Sequence, residues 1–306
     1  MDLQVESHLF NLTPKQQLHL QRFYTTPDAD VIFMLHGAIE NGKIFYSNSG
    51  KGLAPFLAKQ GYDVFVADLR GKGKSKPLID KHATYGQTEA ITEEIPAFIE
   101  AIKIISGNYP SFWIAHSWGG VLLNSALARY PKLMQPIKAM VHFSVKRCVR
   151  VHNWRRFIMV DIIWKYLAKW IAALFGYLPA KQLKIGSDNE SKKYHLQTLA
   201  WVRPKAWRDP QDQFDYAAAV KQHPLPPALY LTGCRDFALG HANDVTDFMQ
   251  ESNHQHSEFL LLSQANSNLH DYDHISILTH PDAERDQFQR VLDWLVSYKT
   301  KVANGS

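Results

Sequence analysis

Cysteine is scarce in this sequence, since 306 residues contain only Cys148 and Cys234. One pair provides no disulfide framework, and the cysteines have no zinc-binding spacing. The first residues, MDLQVESHLF, lack the cationic start and the long apolar run of a secretory signal peptide. These absences argue against a disulfide-rich secreted protein and predict a cytoplasmic location.

Positive charge is in small excess, with a formal net charge of +5 over the whole chain. This mild basicity alone indicates no particular partner. The sequence is 45% hydrophobic and 12% aromatic, which is enough to bury a substantial core in one large domain or two small ones.

Short apolar runs alternate with segments of helical spacing. The runs at 31–35, 62–67, 112–115, 139–143, 228–231 and 258–262 predict buried strands. Helices are predicted at 53–60, 91–102, 121–129 and 282–298, and the better alternation at 5–12 and 18–24 predicts antiparallel edge strands. The pattern predicts an α/β fold with an open, mostly parallel central sheet and helices on both faces.

Ser117 lies between the third of these runs and the helix that follows it, in the stretch WIAHSWGGVLL. Chemistry in α/β sheets collects at the carboxyl ends of strands. A sharp strand-turn-helix needs small residues two positions before and after the serine, and Ala115 and Gly119 meet that need. The stretch therefore fits the nucleophile elbow G-x-S-x-G, with alanine in place of the first glycine.

Four stretches together resemble the α/β-hydrolase superfamily: LHGAIEN at 35–41, DLRGKGKS at 68–75, the elbow, and the pair LTGCRD and DYDHISILTHPDA near the end. The branch that the chain resembles contains serine esterases, lysophospholipases and monoacylglycerol lipase-like enzymes, in which a glutamate like Glu40 often follows the HG loop. The resemblance covers nearly the whole chain and implies the α/β-hydrolase fold. The serine nucleophile argues against the dehalogenase and epoxide hydrolase branches, which use aspartate.

A serine hydroxyl needs a base to become nucleophilic at neutral pH. The resemblance implies His274 as that base, because it lies after the last predicted strand and before the final helix. His270 and His280 flank it and remain alternatives. His116, next to Ser117, is interpreted as a packing or binding residue.

The base in turn needs an acid that orients it. Asp236 follows the strand at 228–231 and matches the family position, while Asp271 and Asp273 are nearby rivals. The alternative acid position, after the preceding strand, is occupied by Ser144. The chain order Ser117, Asp236, His274 is the order expected for this fold.

Acyl transfer also requires an oxyanion hole of preorganised N–H groups. The family pattern implies the backbone amides of Trp118 and of Ala38, the residue just after His36 and Gly37. His36 is interpreted as a brace for this loop rather than a catalytic group.

No cofactor or metal is implied. The stretch 68–75 contains glycines and lysines but lacks the spacing of a phosphate-binding loop, and Lys72 stands where the family often has histidine. The pairs His254 with His256 and His270 with His274 have no cysteine or carboxylate set that completes a metal site at diagnostic spacing.

Residues 145–209, which we call the inserted segment, interrupt the α/β alternation. They contain fourteen basic and four acidic residues and five of the eight tryptophans. Because this family carries a cap over the active site at this point, we expect a helical cap at 145–209 and a catalytic domain formed by 1–144 and 210–306.

The stretch FIMVDIIWKYLAKWIAALFGYLP within the inserted segment is apolar enough to suggest a membrane span. Asp161, Lys165 and Lys169 recur every four residues, however, which predicts one charged face of an amphipathic helix and permits an i, i+4 ion pair. The helix is expected to roof the pocket. A sharper hypothesis is peripheral contact of this basic, tryptophan-rich cap with anionic membrane; nucleic acid is not expected, because no recognition motif accompanies the charge.

The resulting expectation is a serine hydrolase that cleaves carboxylic esters, including lipid esters, through an acyl-enzyme. The same triad serves acyltransferases, thioesterases, amidases and cofactor-free haloperoxidases. A non-catalytic binding protein of the same fold is a further alternative.

Overall fold

A computed structural model describes residues 2–27, 29–203 and 206–303 of the chain. Eight strands form one sheet in the order β1-β2-β4-β3-β5-β6-β7-β8. Their bounds are β1 Gln4–Thr13, β2 Gln16–Tyr24, β3 Val31–Leu35, β4 Asp63–Asp68, β5 Phe112–His116, β6 Ala139–Phe143, β7 Ala228–Gly233 and β8 Ser257–Leu262. Only the pairings of β1 with β2 and of β2 with β4 are antiparallel, so the predicted mostly parallel sheet with an N-terminal edge hairpin is confirmed.

Helices cover both faces of the sheet. The main ones are α1 Leu53–Lys59, α2 Ile95–Ser106, α3 Trp118–Arg129, α4 Ala168–Phe175, α5 Lys192–Val202, α6 Tyr216–Gln222, α7 Ala242–Glu251 and α8 Gln287–Ala303. Side chains of α2 and α3 pack in one buried cluster and those of α1 and α8 in another. Since side chains alternate across a strand, the central strands must be apolar on both faces to fill both clusters.

The register of the parallel strands aligns their carboxyl ends. Leu35 of β3 pairs with Ala115 of β5, and His116 of β5 pairs with Phe143 of β6. The loops that follow these strands therefore begin side by side at one edge of the sheet. Ser117 lies at this edge.

The final helix begins later than predicted, at Gln287 instead of 282. A short 3-10 turn, Ala283–Arg285, precedes it, and Asp286 then leaves helical geometry with φ −125° and ψ −109°. The Asp286 carboxylate accepts hydrogen bonds from the Tyr272 hydroxyl at 2.7 Å and from the Leu269 N–H at 2.8 Å. These bonds hold the chain in a bend that periodicity alone does not indicate.

The inserted segment contributes its elements between β6 and α6. The short helix Trp154–Arg156 continues into the π-helical stretch Phe157–Leu167 and then into α4. A two-stranded ribbon, Tyr177–Leu178 with Glu190–Ser191, links α4 to α5. In the described part of the chain, no helix is both long and apolar enough to cross a bilayer.

The i, i+4 ion pair that the sequence permits between Asp161 and Lys165 is not the one that the structure shows. Asp161 instead pairs with Arg156, with 3.0 Å between Nη1 and Oδ2. Arg156 lies at the start of the π-helical stretch Phe157–Leu167, five positions before Asp161, which is the spacing of the i→i+5 hydrogen bonds there.

Candidate active site

Ser117 occupies a strained turn between β5 and α3. Its backbone has φ 51° and ψ −129°, in the region that non-glycine residues rarely adopt. A Cβ added at Gly119 would lie 2.4 Å from the His36 carbonyl oxygen, and one added at Gly37 would lie 2.8 Å from the Ser117 Cβ. The two glycines thus allow the elbow and the loop after β3 to pack against each other.

Ser117, His274 and Asp236 lie within hydrogen-bonding distance in series. Ser117 Oγ is 3.0 Å from His274 Nε2, and His274 Nδ1 is 2.5 Å from Asp236 Oδ2. The three residues come from separate loops, at the ends of β5 and β7 and after β8. The structure therefore brings together the three side chains that the sequence singled out.

The rivals of these residues lie elsewhere. His270 Nε2 contacts Asp282 at 2.8 Å, and the His280 ring packs at a tilt against His270 with 4.0 Å between centroids. Asp271 accepts the Gln264 N–H at 2.8 Å, whereas Asp273 accepts backbone N–H groups of the turn just after His274.

Ser144 Oγ lies 3.2 Å from Thr232 Oγ1 at the end of β6. None of these described rivals forms a hydrogen bond with Ser117.

The Asp236 carboxylate is held in its charged form. It is 5% exposed, and burial alone favours protonation, but the facing His274 imidazole and its hydrogen bond lower the pKa of Asp236 below its ordinary value. The Leu239 N–H donates to the other carboxylate oxygen at 3.0 Å. A fixed, ionised carboxylate on Nδ1 leaves Nε2 of a neutral imidazole as the proton acceptor toward Ser117.

The backbone amides of Ala38 and Trp118 are the predicted oxyanion hole. Ala38 and Trp118 both line the same cavity as Ser117. Within the described residues, no acceptor is found for the N–H of either one. The Trp118 ring turns away, donating from Nε1 to Gln87 Oε1 at 3.2 Å, and leaves its backbone amide beside the nucleophile.

A second polar pair, His116 with Glu40, lies behind this site and was missed in the sequence analysis. His116 Nδ1 is 2.8 Å from Glu40 Oε2, and His116 Nε2 is 2.9 Å from the His274 carbonyl oxygen. Both partners are acceptors, so both ring nitrogens must carry protons and His116 is an imidazolium. Glu40 Oε2 also accepts the Gly37 N–H at 3.0 Å.

The electrostatics of this pair agree with its geometry. Burial opposes charge on His116, yet the Glu40 carboxylate raises the pKa of His116 above its ordinary value. Burial is the largest influence on Glu40 and opposes its charge, but the charge of His116, its hydrogen bond and the Gly37 N–H are among the contacts that together outweigh burial and lower the pKa of Glu40 to about 2. The ion pair ties the loop that contains Ala38 to the backbone of His274.

The inserted segment holds the same loop from the other side. Glu190 Oε2 accepts the Ile39 N–H at 3.2 Å and the Lys72 ammonium at 2.7 Å. The Ile39 carbonyl in turn accepts the N–H groups of Ser187 and Asp188 at 2.9 and 3.1 Å. Lys72 is 1% exposed, so this residue of the glycine-rich loop forms a buried structural contact.

A cavity of about 700 Å³ opens beside Ser117. Its wall is largely apolar and comes from both the loops around the sheet and the inserted segment. The apolar lining includes Ile39, Ile44, Val149, Met159, Val160, Ile163, Trp164, Ile185, Val202, Leu239 and Ile275. An aliphatic chain fits such a wall, and the size is that of a small-molecule pocket.

Two groups of side chains place potential metal ligands close together: Glu40, His116 and His274, and His270, His280 and Asp282. In the first group the donor atoms already bond to one another, to Ser117 or to Asp236. Protonation of both nitrogens of His116 is incompatible with ligation by that residue. Absence of a metal or cofactor stays a prediction.

Comparison with known proteins places the chain in a family. The family model described as alpha/beta hydrolase fold matches residues 30–220, more than half of the chain, and the protein belongs to this family. Lipase member K of Mus musculus is 28% identical over 121 residues, which are 37% of this chain and 30% of that protein. The match thus spans under a third of the curated relative.

Solved structures resemble the whole chain. A haloalkane dehalogenase, the DbeA-M1 loop variant from Bradyrhizobium elkanii, has a TM-score of 0.63 at 16% identity and covers 99% of this chain and 100% of its own. The Pyrococcus furiosus esterase Pf2001 has a TM-score of 0.59 at 14% identity and covers 97% and 91%. These identities show the fold alone.

Proposed function

We propose that the protein is a serine hydrolase that cleaves carboxylic esters through an acyl-enzyme. The observation that carries the proposal is the unbroken series from Ser117 Oγ through His274 to Asp236, with spacings of 3.0 and 2.5 Å. Only a base with a fixed tautomer within hydrogen-bond reach turns a serine hydroxyl into a nucleophile at neutral pH.

In this mechanism, Ser117 Oγ attacks the ester carbonyl carbon while His274 Nε2 takes its proton. The negative charge that develops on the carbonyl oxygen is held by the amides of Ala38 and Trp118. Losing one such donor typically costs about 3 kcal/mol of transition-state stabilisation. His274 then returns the proton to the leaving alcohol, and a water molecule, activated in the same way, releases the acid and restores Ser117.

Residues 145–209 act in this proposal as a cap that covers the acyl pocket. The support is that Val160, Ile163 and Trp164 line the cavity that contains Ser117. An ester with an aliphatic acyl chain, such as a lipid ester, would bury its chain against them. Closure of the cavity would also exclude water until the acyl-enzyme forms.

A fluorophosphonate probe tests the proposal, because it reacts covalently with activated serines. We expect labelling of the wild-type protein and none of Ser117→Ala. Ser144→Ala is the matched control, since Ser144 also follows a parallel strand but bonds to Thr232, and it should label like the wild type. Failure of the folded wild-type protein to label would favour a binding protein.

The bond that is cleaved needs a second experiment. Matched p-nitrophenyl esters, thioesters and anilides of increasing acyl length should show the highest kcat/KM with esters of aliphatic acids. A preference for the thioester or the anilide at every chain length would assign the site to one of the alternative reactions.

A further inference from the structure

The helical run from 154 to 175 in the inserted segment is apolar on two opposite faces. Ile162, Tyr166, Trp170 and Leu174, which we call the outer stripe, are 44%, 57%, 74% and 80% exposed. All four are exposed and recur every fourth residue, so together they form a stripe on the solvent-facing side of the run.

The opposite stripe faces the protein. Val160 and Trp164 line the cavity beside Ser117, and Ala168 and Ala172 are each 1% exposed. A helix that packs on a globular domain normally exposes polar side chains on its far face. Packing on the protein therefore explains the inner stripe and leaves the outer one without a partner among the described residues.

Exposed apolar side chains concentrate in this region. Eleven of the twenty-one large apolar side chains that are exposed in the described residues lie between 154 and 185. Besides the outer stripe, they are Trp154, Phe157, Met159, Leu167, Phe175, Leu183 and Ile185. A contiguous apolar surface of this kind marks an interaction site.

The charges around the outer stripe are almost all positive. Residues 154–187 contain six basic residues, Arg155, Arg156, Lys165, Lys169, Lys181 and Lys184, and one acidic residue, Asp161. Asp161 is already paired with Arg156. This stretch thus carries five net positive charges, which equals the net charge of the whole chain.

We propose that the outer stripe and its basic surroundings dock on the surface of a bilayer that contains anionic lipids. Tryptophan and tyrosine are enriched at the level of the lipid headgroups, apolar side chains insert below that level, and lysines pair with anionic headgroups. A second copy of the chain fits less well, because a two-fold contact would place the lysines of one copy against those of the other. The proposal goes beyond ester hydrolysis and does not depend on it.

The cavity beside Ser117 opens next to this surface. Met159 and Ile185 both line the cavity and are 40% and 41% exposed, so they border its mouth. Docking would therefore place the mouth against the bilayer. An apolar molecule could enter the cavity without crossing water.

Vesicle co-sedimentation of the Ser117→Ala protein tests docking, since this background cannot consume the lipid. We expect binding to phosphatidylcholine vesicles that contain phosphatidylserine and much weaker binding to phosphatidylcholine alone. Lys165→Gln with Lys169→Gln should weaken binding about fivefold for each lysine neutralised. The pair Lys15→Gln with Lys132→Gln, two exposed lysines outside the inserted segment, should leave it unchanged.

The apolar part is tested by Leu174→Ser, which we expect to weaken binding about tenfold. Its matched control is Ile104→Ser, at a residue of α2 that is 83% exposed. Far-UV circular dichroism of each variant, compared with the parent, checks that it folds.

Equal binding to both vesicle types, equal effects of Leu174→Ser and Ile104→Ser, or no binding would each overturn the proposal. A dimer in solution that Leu174→Ser dissociates would also overturn it, in favour of an interface between copies.

Discussion

Strands β3 to β7 bury every one of their side chains, whereas the inserted segment leaves large apolar side chains such as Trp170 and Leu174 in solvent. The two regions also differ in charge. The inserted segment contains fourteen basic and four acidic residues, while the rest of the chain contains twenty and twenty-five.

The difference indicates that the two regions have different structural roles. The sheet supplies rigid strand ends, from which Ser117 and Asp236 project. The inserted segment supplies a wall of the cavity, the outer stripe, and the contacts of Ser187, Asp188 and Glu190 with the loop that contains Ala38. Substitutions in the two regions should therefore affect different properties.

Substitution at a strand end should affect turnover most. Asp236→Asn replaces the oriented carboxylate and favours the wrong tautomer of His274, so we expect kcat to fall about 10⁴-fold. Asp271→Asn, at an exposed carboxylate outside the proposed triad, is the matched control and should keep wild-type turnover. Both are measured with a soluble p-nitrophenyl ester. If Asp271→Asn lowered kcat as strongly, the assignment of the acid would be wrong.

The next largest effect is expected at the contact between the two regions, the buried pair of Lys72 and Glu190. Lys72→Met and Glu190→Gln each leave a buried polar or charged group without its partner, and we expect each to lower the free energy of unfolding by about 3 to 5 kcal/mol. The double variant should be less destabilised than the sum of the two. Urea unfolding of all four proteins measures this coupling.

Independent, additive losses would mean that the pair does not couple the two regions. Glu190→Gln should also lower kcat without raising KM, because Glu190 fixes the Ile39 N–H next to Ala38. Lys193→Gln is the control, since the pair of Lys193 with Glu89 also joins the inserted segment to the rest but does not touch this loop.

Much of the fold was predictable because its signals are local. The strands at 31–35 and 139–143 coincide with β3 and β6, since a strand buried on both faces is a short apolar run. Ser117 was found from the small residues around it. His274 and Asp236 were found from their order along the chain and from the resemblance. The structure places His274 within hydrogen-bond distance of Ser117, and Asp236 within that distance of His274.

The features that were missed depend on distant register. His116 and Glu40 are 76 positions apart, and Lys72 and Glu190 are 118 apart. Each pairing requires two loops to meet at one strand edge, which no local pattern encodes. Helical spacing permitted a contact of Asp161 with Lys165 and could not reveal the π-helical stretch, in which Asp161 pairs with Arg156. The sequence did offer one signal for this pair: His116 is next to Ser117 of the elbow, and Glu40 follows the HG loop.

The pair of His116 and Glu40 should make the free energy of unfolding depend on pH. The pKa of Glu40 is lowered to about 2 in the folded protein, against about 4.3 in an unfolded chain. The carboxylate therefore contributes stability at pH values above about 4.3 that is lost as the pH falls toward 2, about 3 kcal/mol in all. Glu40→Gln should be less stable than the wild type at pH 6, and the difference should shrink on acidification.

Urea unfolding between pH 6 and pH 3 measures this change, with Glu93→Gln, at a half-exposed carboxylate, as control. A constant difference between Glu40→Gln and the wild type would contradict the ion pair. A positioning role also predicts a lower kcat at unchanged KM, because the pair holds the backbone of His274 and the Gly37 loop.

The smallest effect is expected on the outer stripe, where an exposed and a buried leucine of the inserted segment stand four residues apart. Leu174 is 80% exposed and Leu178, four residues later, is fully buried. Leu178→Ala should lower the free energy of unfolding by about 2 to 5 kcal/mol, as in a packed core. Leu174→Ala should change it by no more than about 0.5 kcal/mol and leave turnover of a soluble ester as in the wild type. Urea unfolding of both variants measures these changes. If Leu174→Ala lowered the free energy of unfolding as much as Leu178→Ala, the outer stripe would pack on the protein in solution and would not be free to contact a membrane.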